Sequence, residues 1–190
     1  MQKAQDKYEF RVKWEPFFLR PDTPEQGLKK PPDAPYNPRV SPRLKAAGEA
    51  VGINFTGASD VFPNTTLAHA VLEFAKEQDE TGKKQDALAE LLFKAYFTDG
   101  TPFTEDFLLS SAESAGLQKD AVQQYVSKQK NRRKAADKAT AWSFHGVSGV
   151  PTFYMNGQKV FSGAQDEATF VKMFEIITEK HPVTATTSNM

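Results

Sequence analysis

The chain has 190 residues, room for one sizeable domain or for a core domain carrying an insertion. Its 39% hydrophobic content, with 15 Phe, is enough for a packed core, and 24 Lys plus Arg against 24 Asp plus Glu leave no net charge, which argues against an electrostatic nucleic-acid or anionic-membrane binder. No apolar run approaches a membrane span, residues 1–7 lack a signal-peptide core, and there is no cysteine, so a cytoplasmic setting is the default expectation.

Tyr8 to Trp14 alternates apolar and polar residues, the pattern of a half-buried strand. Pro16-Phe17-Phe18-Leu19 leads into a proline-rich loop from Pro21 to Pro42, too rich in proline for regular structure. Ser41-Pro42 reads as an N-cap with proline at the first helical position, opening a helix to about Val51. Asn64 caps the next helix, whose face carries Leu67, Val71, Phe74 and Ala75. Gly82 breaks the chain; Leu88, Leu91, Leu92, Ala95 and Tyr96 then form a second stripe. Thr104 to Ala115 predicts a third helix stopped by Gly116, followed by helices from Asp120 to about Lys128 and from Arg133 to about Phe144. Asp166 caps a last helix carrying Phe170, Met173, Phe174 and Ile177, and the tail from Val183 is expected to be disordered.

The most specific stretch lies ahead of that last helix. Gly149-Val150-Pro151-Thr152-Phe153 is followed by Asn156-Gly157 and then Phe161-Ser162-Gly163-Ala164-Gln165. Proline lacks the N–H that a ladder needs, so its place is the first residue of a strand, often after a cis bond, where the freed edge can receive another extended chain. Thr152–Met155 and Gln158–Phe161 then read as a hairpin on a two-residue Asn156-Gly157 turn.

This block resembles the C-terminal half of a DsbA-type thioredoxin-fold protein, and within that family the FrnE-like branch. Trp14-x-Pro16-Phe17-x-Leu19-x-Pro21, Ala46-Ala47-Gly48-x-x-Val51-Gly52-Ile53-x-Phe55 and Asn64-Thr65-x-x-Ala68-His69 extend the resemblance over most of residues 8–179. It implies an α/β fold, thioredoxin-like, with a helical insertion: an incomplete thioredoxin-like subdomain from residues 8–40 and 146–181, a helical insertion over 41–145, and a disordered tail over 182–190. The family's first strand and its Cys-x-x-Cys helix are missing ahead of Tyr8. The lost strand would sit between Tyr8–Trp14 and the Thr152 strand, and neighbours about 4.8 Å apart would leave a gap of roughly 10 Å lined by unpaired backbone. Marginal stability and self-association through the incomplete sheet are therefore expected.

The resemblance implies a thiol–disulfide oxidoreductase, yet dithiol exchange needs a thiolate and this chain has none. No catalytic residue, metal site or cofactor is assigned. What remains is peptide or protein binding at the proline edge, with Val150, Pro151 and Thr152 as its residues; a purely structural proline is the rival reading. Asn64 and His69 are possible ligand contacts, although helix capping explains Asn64 and a helix-surface histidine is the simpler reading of His69. Lys128, Lys130, Arg132, Arg133, Lys134 and Lys138 form a basic run best read as a solvated face. Trp142, Phe144, Phe153 and Tyr154 are read as core rather than as a groove lining. The alternatives are a kappa-class glutathione transferase or 2-hydroxychromene-2-carboxylate isomerase, where a serine replaces the cysteine, and a non-catalytic interaction module.

Overall fold

Apolar residues spaced for one helix face build the centre of the larger of two units. The computed structural model describes residues 4–183, which divide into residues 11–141 and residues 142–183 together with 4–10. The boundary falls inside a segment expected as one piece: residues 8–10 go with the hairpin and 11–40 with the helices. Of the expected tail, residues 184–190 lie outside the described residues.

In the larger unit, β1 (Leu28–Lys29) is followed by α1 (Pro42–Glu49), β2 (Val61–Phe62), α2 (Thr66–Gln78) and α3 (Lys83–Lys94). A π-helical turn (Ala95–Asp99), α4 (Glu105–Ser114), α5 (Lys119–Ser127) and the greater part of α6 (Gln129–Phe144) complete it. Val71, Phe74 and Ala75 of α2 meet Leu88 and Leu92 of α3, Leu108, Leu109 and Ala112 of α4, Val122 and Val126 of α5, and Ala135 of α6. Each fully buried leucine here contributes about 1.5–3 kcal/mol relative to exposure. Ser41 caps α1 as read from the sequence, its Oγ accepting from Leu44 N–H at 3.2 Å, and Thr104, expected inside the third helix, caps α4 instead, its Oγ1 accepting from Phe107 N–H at 3.2 Å. Leu91, expected on the buried stripe, is 36% exposed. At 3.6 residues per turn it lies about 60° round the helix from Leu88, on the flank rather than on the face that Leu88 and Leu92 share.

The alternating segment Tyr8–Trp14 is a correction, because it joins no β-ladder. A strand exists only where a neighbouring strand takes its backbone bonds, and among the described residues no strand pairs with this segment. Instead the segment is divided. Tyr8 and Phe10 set their rings 6.1 and 4.9 Å from that of Phe174 in the smaller unit. Val12 and Trp14 lie against α3 in the larger one. A Cβ on Gly82 would come within 2.3 Å of the Val12 carbonyl oxygen, and Gly82 has φ +78°, so only glycine opens α3 here. The short pair β1–β2, with Leu28 opposite Phe62, was not foreseen in the proline-rich stretch.

The smaller unit is the hairpin β3 (Thr152–Met155) and β4 (Gln158–Ser162) with α7 (Glu167–Lys180). Asn156 at φ 47° and Gly157 at φ 79° make the tight turn that their residue types favour. Phe153 pairs with Phe161 and Met155 with Gln158, with a bulge between Phe153 and Tyr154. Asp166 Oδ1 accepts from Thr169 N–H at 2.8 Å and starts α7. From α7, Phe170 meets both Phe153 and Phe161 at 5.0 Å between ring centroids. Ile177 is buried behind them.

Candidate functional site

Proline at position 151 sets how the hairpin begins. The Val150–Pro151 peptide bond is cis. The Pro151 carbonyl accepts from Gly163 N–H at 2.7 Å, so it faces β4. Backbone groups alternate sides along a strand, and those of Thr152 therefore face the opposite edge. Among the described residues β3 pairs with β4 alone, which leaves that second edge without a strand. The Thr152 side chain is turned back on the hairpin: its Oγ1 donates to the Gly149 carbonyl at 2.7 Å and lies 3.2 Å from Ser162 Oγ.

Apolar groups flank this edge. Val150 is 54% exposed and Tyr154 is 37% exposed, on a strand whose other side chains are half-buried. Tyr154 rests against Trp142 at 5.0 Å, and Trp142 sits 6.2 Å from His145. Phe153 belongs to the unit's core, as read from the sequence. Phe144 does not; it is 87% exposed at the end of α6, because the chain turns there into the Gly146 loop and no element covers it. The segment Thr152–Met155 carries no charge, so it has none of the lysines that usually blunt a free edge.

Asn64 and His69 belong to the larger unit, and Val150, Pro151 and Thr152 to the smaller. Asn64 spends both ends of its amide on backbone. Its Nδ2 donates to the Thr23 carbonyl at 2.7 Å, and its Oδ1 accepts from Thr66 N–H, the first residue of α2, at 3.0 Å. That is the capping role, with the proline-rich loop pinned as well. His69 stands with its ring 5.4 Å from Phe18. Burial pulls its pKa down to about 4, against the opposing effects of a hydrogen bond to the Phe17 backbone and the charge of Glu73. It is neutral near pH 7 and poorly placed for proton transfer there.

The basic run is in part a lock rather than a solvated face. Lys134 reaches Glu77 at 2.6 Å, and Lys138 binds Glu73, so two of its members tie α6 to α2. Glu73 is 1% exposed and also lies 2.6 Å from Lys76, which in turn meets Glu15 at 2.8 Å. Burial pushes the Glu73 carboxyl up, and the ammonium groups of Lys138 and Lys76 more than offset it, holding the pKa below its ordinary value. Sequence reading missed Glu73 and also Gln85, which is fully buried. For Glu73 the one available signal was a charged residue between Leu72 and Phe74 on an apolar helix; Gln85, among Lys83, Lys84 and Asp86, offered none. Among the described residues no three His, Asp or Glu side chains are grouped to hold a metal ion, and no helix is long and apolar enough to cross a membrane.

The family model of the DSBA-like thioredoxin domain matches residues 1–175. No curated protein matches the chain. Among solved structures, the chain resembles a probable DsbA oxidoreductase from Streptomyces coelicolor, with 23% identity and a TM-score of 0.60 over 78% of this chain. It spans 63% of that protein's chain. At this identity the likeness concerns the fold, α/β and thioredoxin-like with a helical insertion.

Proposed function

We propose that this chain, which belongs to the DsbA-like thioredoxin family, holds an extended peptide or protein segment along the free edge of β3 and carries out no thiol–disulfide exchange through its own residues. The observation that carries the reading is the orientation of Thr152. Its backbone N–H and carbonyl point away from β4, between the exposed side chains of Val150 and Tyr154. An incoming strand would exchange bonds with Thr152 and lay an apolar side chain on Val150. Pro151 has no N–H to leave unpaired. Backbone bonds contribute about 0.5–1.5 kcal/mol each, so a short segment binds weakly, with a Kd on the order of 0.1–1 mM. The same edge can take β3 of a second copy, as edge strands do.

The Ser162-Gly163-Ala164-Gln165 ending supports the FrnE-like branch of the family, and the lack of cysteine suits a reducing compartment such as the cytoplasm. Redox chemistry of the family type requires a thiolate as nucleophile. These 190 residues contain none.

Two measurements test the proposal. Anisotropy of fluorescein-labelled, cysteine-free decapeptides should rise saturably with protein, and Val150→Asp or Thr152→Pro should abolish the rise while circular dichroism stays unchanged. A flat titration up to about 1 mM protein, the weak end of the expected range, sinks the binding role. In parallel, insulin reduction by the purified chain should match buffer.

A further inference from the structure

The hairpin turn of the smaller unit carries a reactive pair that its own geometry holds back. Asn156 is followed by Gly157, and both are exposed. The amide carbon of an asparagine is open to attack by the backbone nitrogen of the next residue, and glycine puts no side chain in the way. A Cβ built on Gly157 would meet nothing within 4 Å, so the turn stands open to solvent. The other asparagines among the described residues lack these conditions. Asn37 precedes Pro38, whose nitrogen has no proton to give up. Asn131 lies inside α6, and its amide donates to the Tyr125 carbonyl at 2.7 Å. Asn64 has both ends of its amide bonded, and Asn54 is followed by the bulky Phe55.

Two features oppose the attack in the folded chain. With φ 47° at Asn156 and 79° at Gly157 the turn has the type I′ hand, which sets ψ of its first central residue at about +30°. At that angle the Gly157 nitrogen stands nearly opposite the Asn156 Cβ across the Cα–C bond, and a five-membered ring cannot close. The Asn156 amide is also tied: its Nδ2 donates to the His181 carbonyl at 2.8 Å, which joins the turn to the end of α7. Ring closure therefore waits for the turn to open, with loss of this bond and of the Met155–Gln158 pair beside it.

We propose that Asn156 is a site of slow, spontaneous deamidation, gated by opening of the hairpin turn. The Gly157 nitrogen gives up its proton and attacks Asn156 Cγ; the Cγ–Nδ2 bond breaks, and ammonia leaves with that proton. Water then opens the cyclic imide at either carbonyl, giving aspartate or isoaspartate with no change of oxidation state. Both products put a carboxylate, which only accepts, where a donor met the His181 carbonyl. Isoaspartate also adds one carbon to the main chain of a two-residue turn, so the Met155–Gln158 pair cannot close as before. The reaction needs no group beyond water and does not depend on peptide binding at β3.

The test incubates three samples in the same mildly alkaline buffer: the full chain, a capped peptide of residues 152–161, and the full chain unfolded in guanidinium chloride. Digestion and mass spectrometry locate the converted residue, and isoaspartate-specific enzymatic methylation identifies the product. In the folded chain Asn156 should convert before Asn37, Asn54, Asn64 and Asn131. It should do so about ten- to a hundredfold more slowly than in the peptide, the factor that two hydrogen bonds supply. Unfolding should bring the chain to within about twofold of the peptide, since the opened turn is then always present. Asn156→Asp carries the carboxylate on an unaltered main chain, and should exchange the Gln158 amide hydrogen about threefold faster because the tie to His181 is gone. A folded rate equal to that of the peptide, earlier conversion at another asparagine, or unchanged exchange at Gln158 in Asn156→Asp each overturns the inference. So does a folded chain without isoaspartate at position 156 after about a hundred half-lives of the peptide.

Discussion

Gln85 holds the backbone of Trp14 as a neighbouring strand would. Trp14 N–H donates to Gln85 Oε1 at 3.0 Å, and Gln85 Nε2 donates back to the Trp14 carbonyl at 2.9 Å. The same amide nitrogen donates to the Leu72 carbonyl at 3.1 Å, so one buried side chain joins the N-terminal segment to α2 and α3. Trp14 Nε1 adds a bond to Asp86 Oδ1 at 2.9 Å.

Replacing Gln85 with Leu keeps the volume, strips both Trp14 backbone groups of their partners and leaves the Leu72 carbonyl only its bond within α2. The expected loss is about 2–4 kcal/mol, since each orphaned buried group costs roughly 1–3 kcal/mol and some regain water. Gln85→Glu keeps the acceptor for Trp14 N–H but loses both donations, and should cost nearly as much. Urea unfolding followed by Trp fluorescence measures both. A change under about 0.5 kcal/mol in either, the range of an ordinary surface substitution, would mean that Trp14 is held by packing alone.

Glu73 is a second buried anchor. Its carboxylate meets Lys138 of α6 and Lys76 of α2, and Lys76 continues to Glu15. Removing one partner of a buried pair leaves charge uncompensated, and Glu73→Gln should destabilise by about 3 kcal/mol. Lys138→Met should cost less, because the Lys138 side chain is 38% exposed and Glu73 keeps Lys76. The order of the two losses in chemical denaturation is the check, and Lys138→Met costing more than Glu73→Gln would reverse the assignment.

These anchors also mark where sequence reading stops. Caps at Ser41 and Asp166 and the Asn156-Gly157 turn were legible because each depends on a few adjacent residues. The edge at Val150–Thr152 was legible because a proline before a strand has few uses. Tyr8–Trp14 has the right alternation for a strand, but alternation does not supply a neighbour, and the backbone bonds of Trp14 go to a side chain 71 residues away. Gln85 stands in Lys83-Lys84-Gln85-Asp86, a polar helix start that reads as surface. Lys138 reads as part of a charge run, since its partner Glu73 is 65 residues distant.

His69 gives the fold an acid-sensitive point. Its pKa falls from an ordinary 6.5 to about 4 in the folded chain, chiefly through burial. The unfolded chain therefore binds more protons between these two values, and stability rises with pH across that window. Its contribution is complete above about 6.5 and is lost as pH falls toward 4, by up to roughly 3 kcal/mol for a shift of this size. His69→Gln, which can still donate to Phe17, should flatten the stability profile from pH 6.5 to 4.5 while leaving acid loss below that to groups such as Glu73. Urea midpoints taken across this range decide it; an unchanged slope in the variant assigns the acid sensitivity elsewhere.

The last expectation concerns β3 itself. Its free edge is uncharged, carries exposed Val150 and Tyr154, and has no bulge on the paired side other than the one at Phe153–Tyr154. Two copies related by a two-fold axis can place their β3 strands antiparallel and exchange the outward bonds of Thr152. Such an edge contact is small, so dimer should appear only as concentration rises, on the order of tens to hundreds of micromolar. Tyr154→Lys puts like charges close to the axis and should keep the chain monomeric. Its cost to the fold is about 0.5–1.5 kcal/mol, the ring contact with Trp142. Size-exclusion chromatography with light scattering, run over a concentration series for both proteins, reads the outcome. A wild-type chain that stays monomeric throughout, or a variant that dimerises equally, would place any self-association away from β3. Peptide that binds this edge should also lower the dimer fraction, since both occupants need the same backbone groups of Thr152.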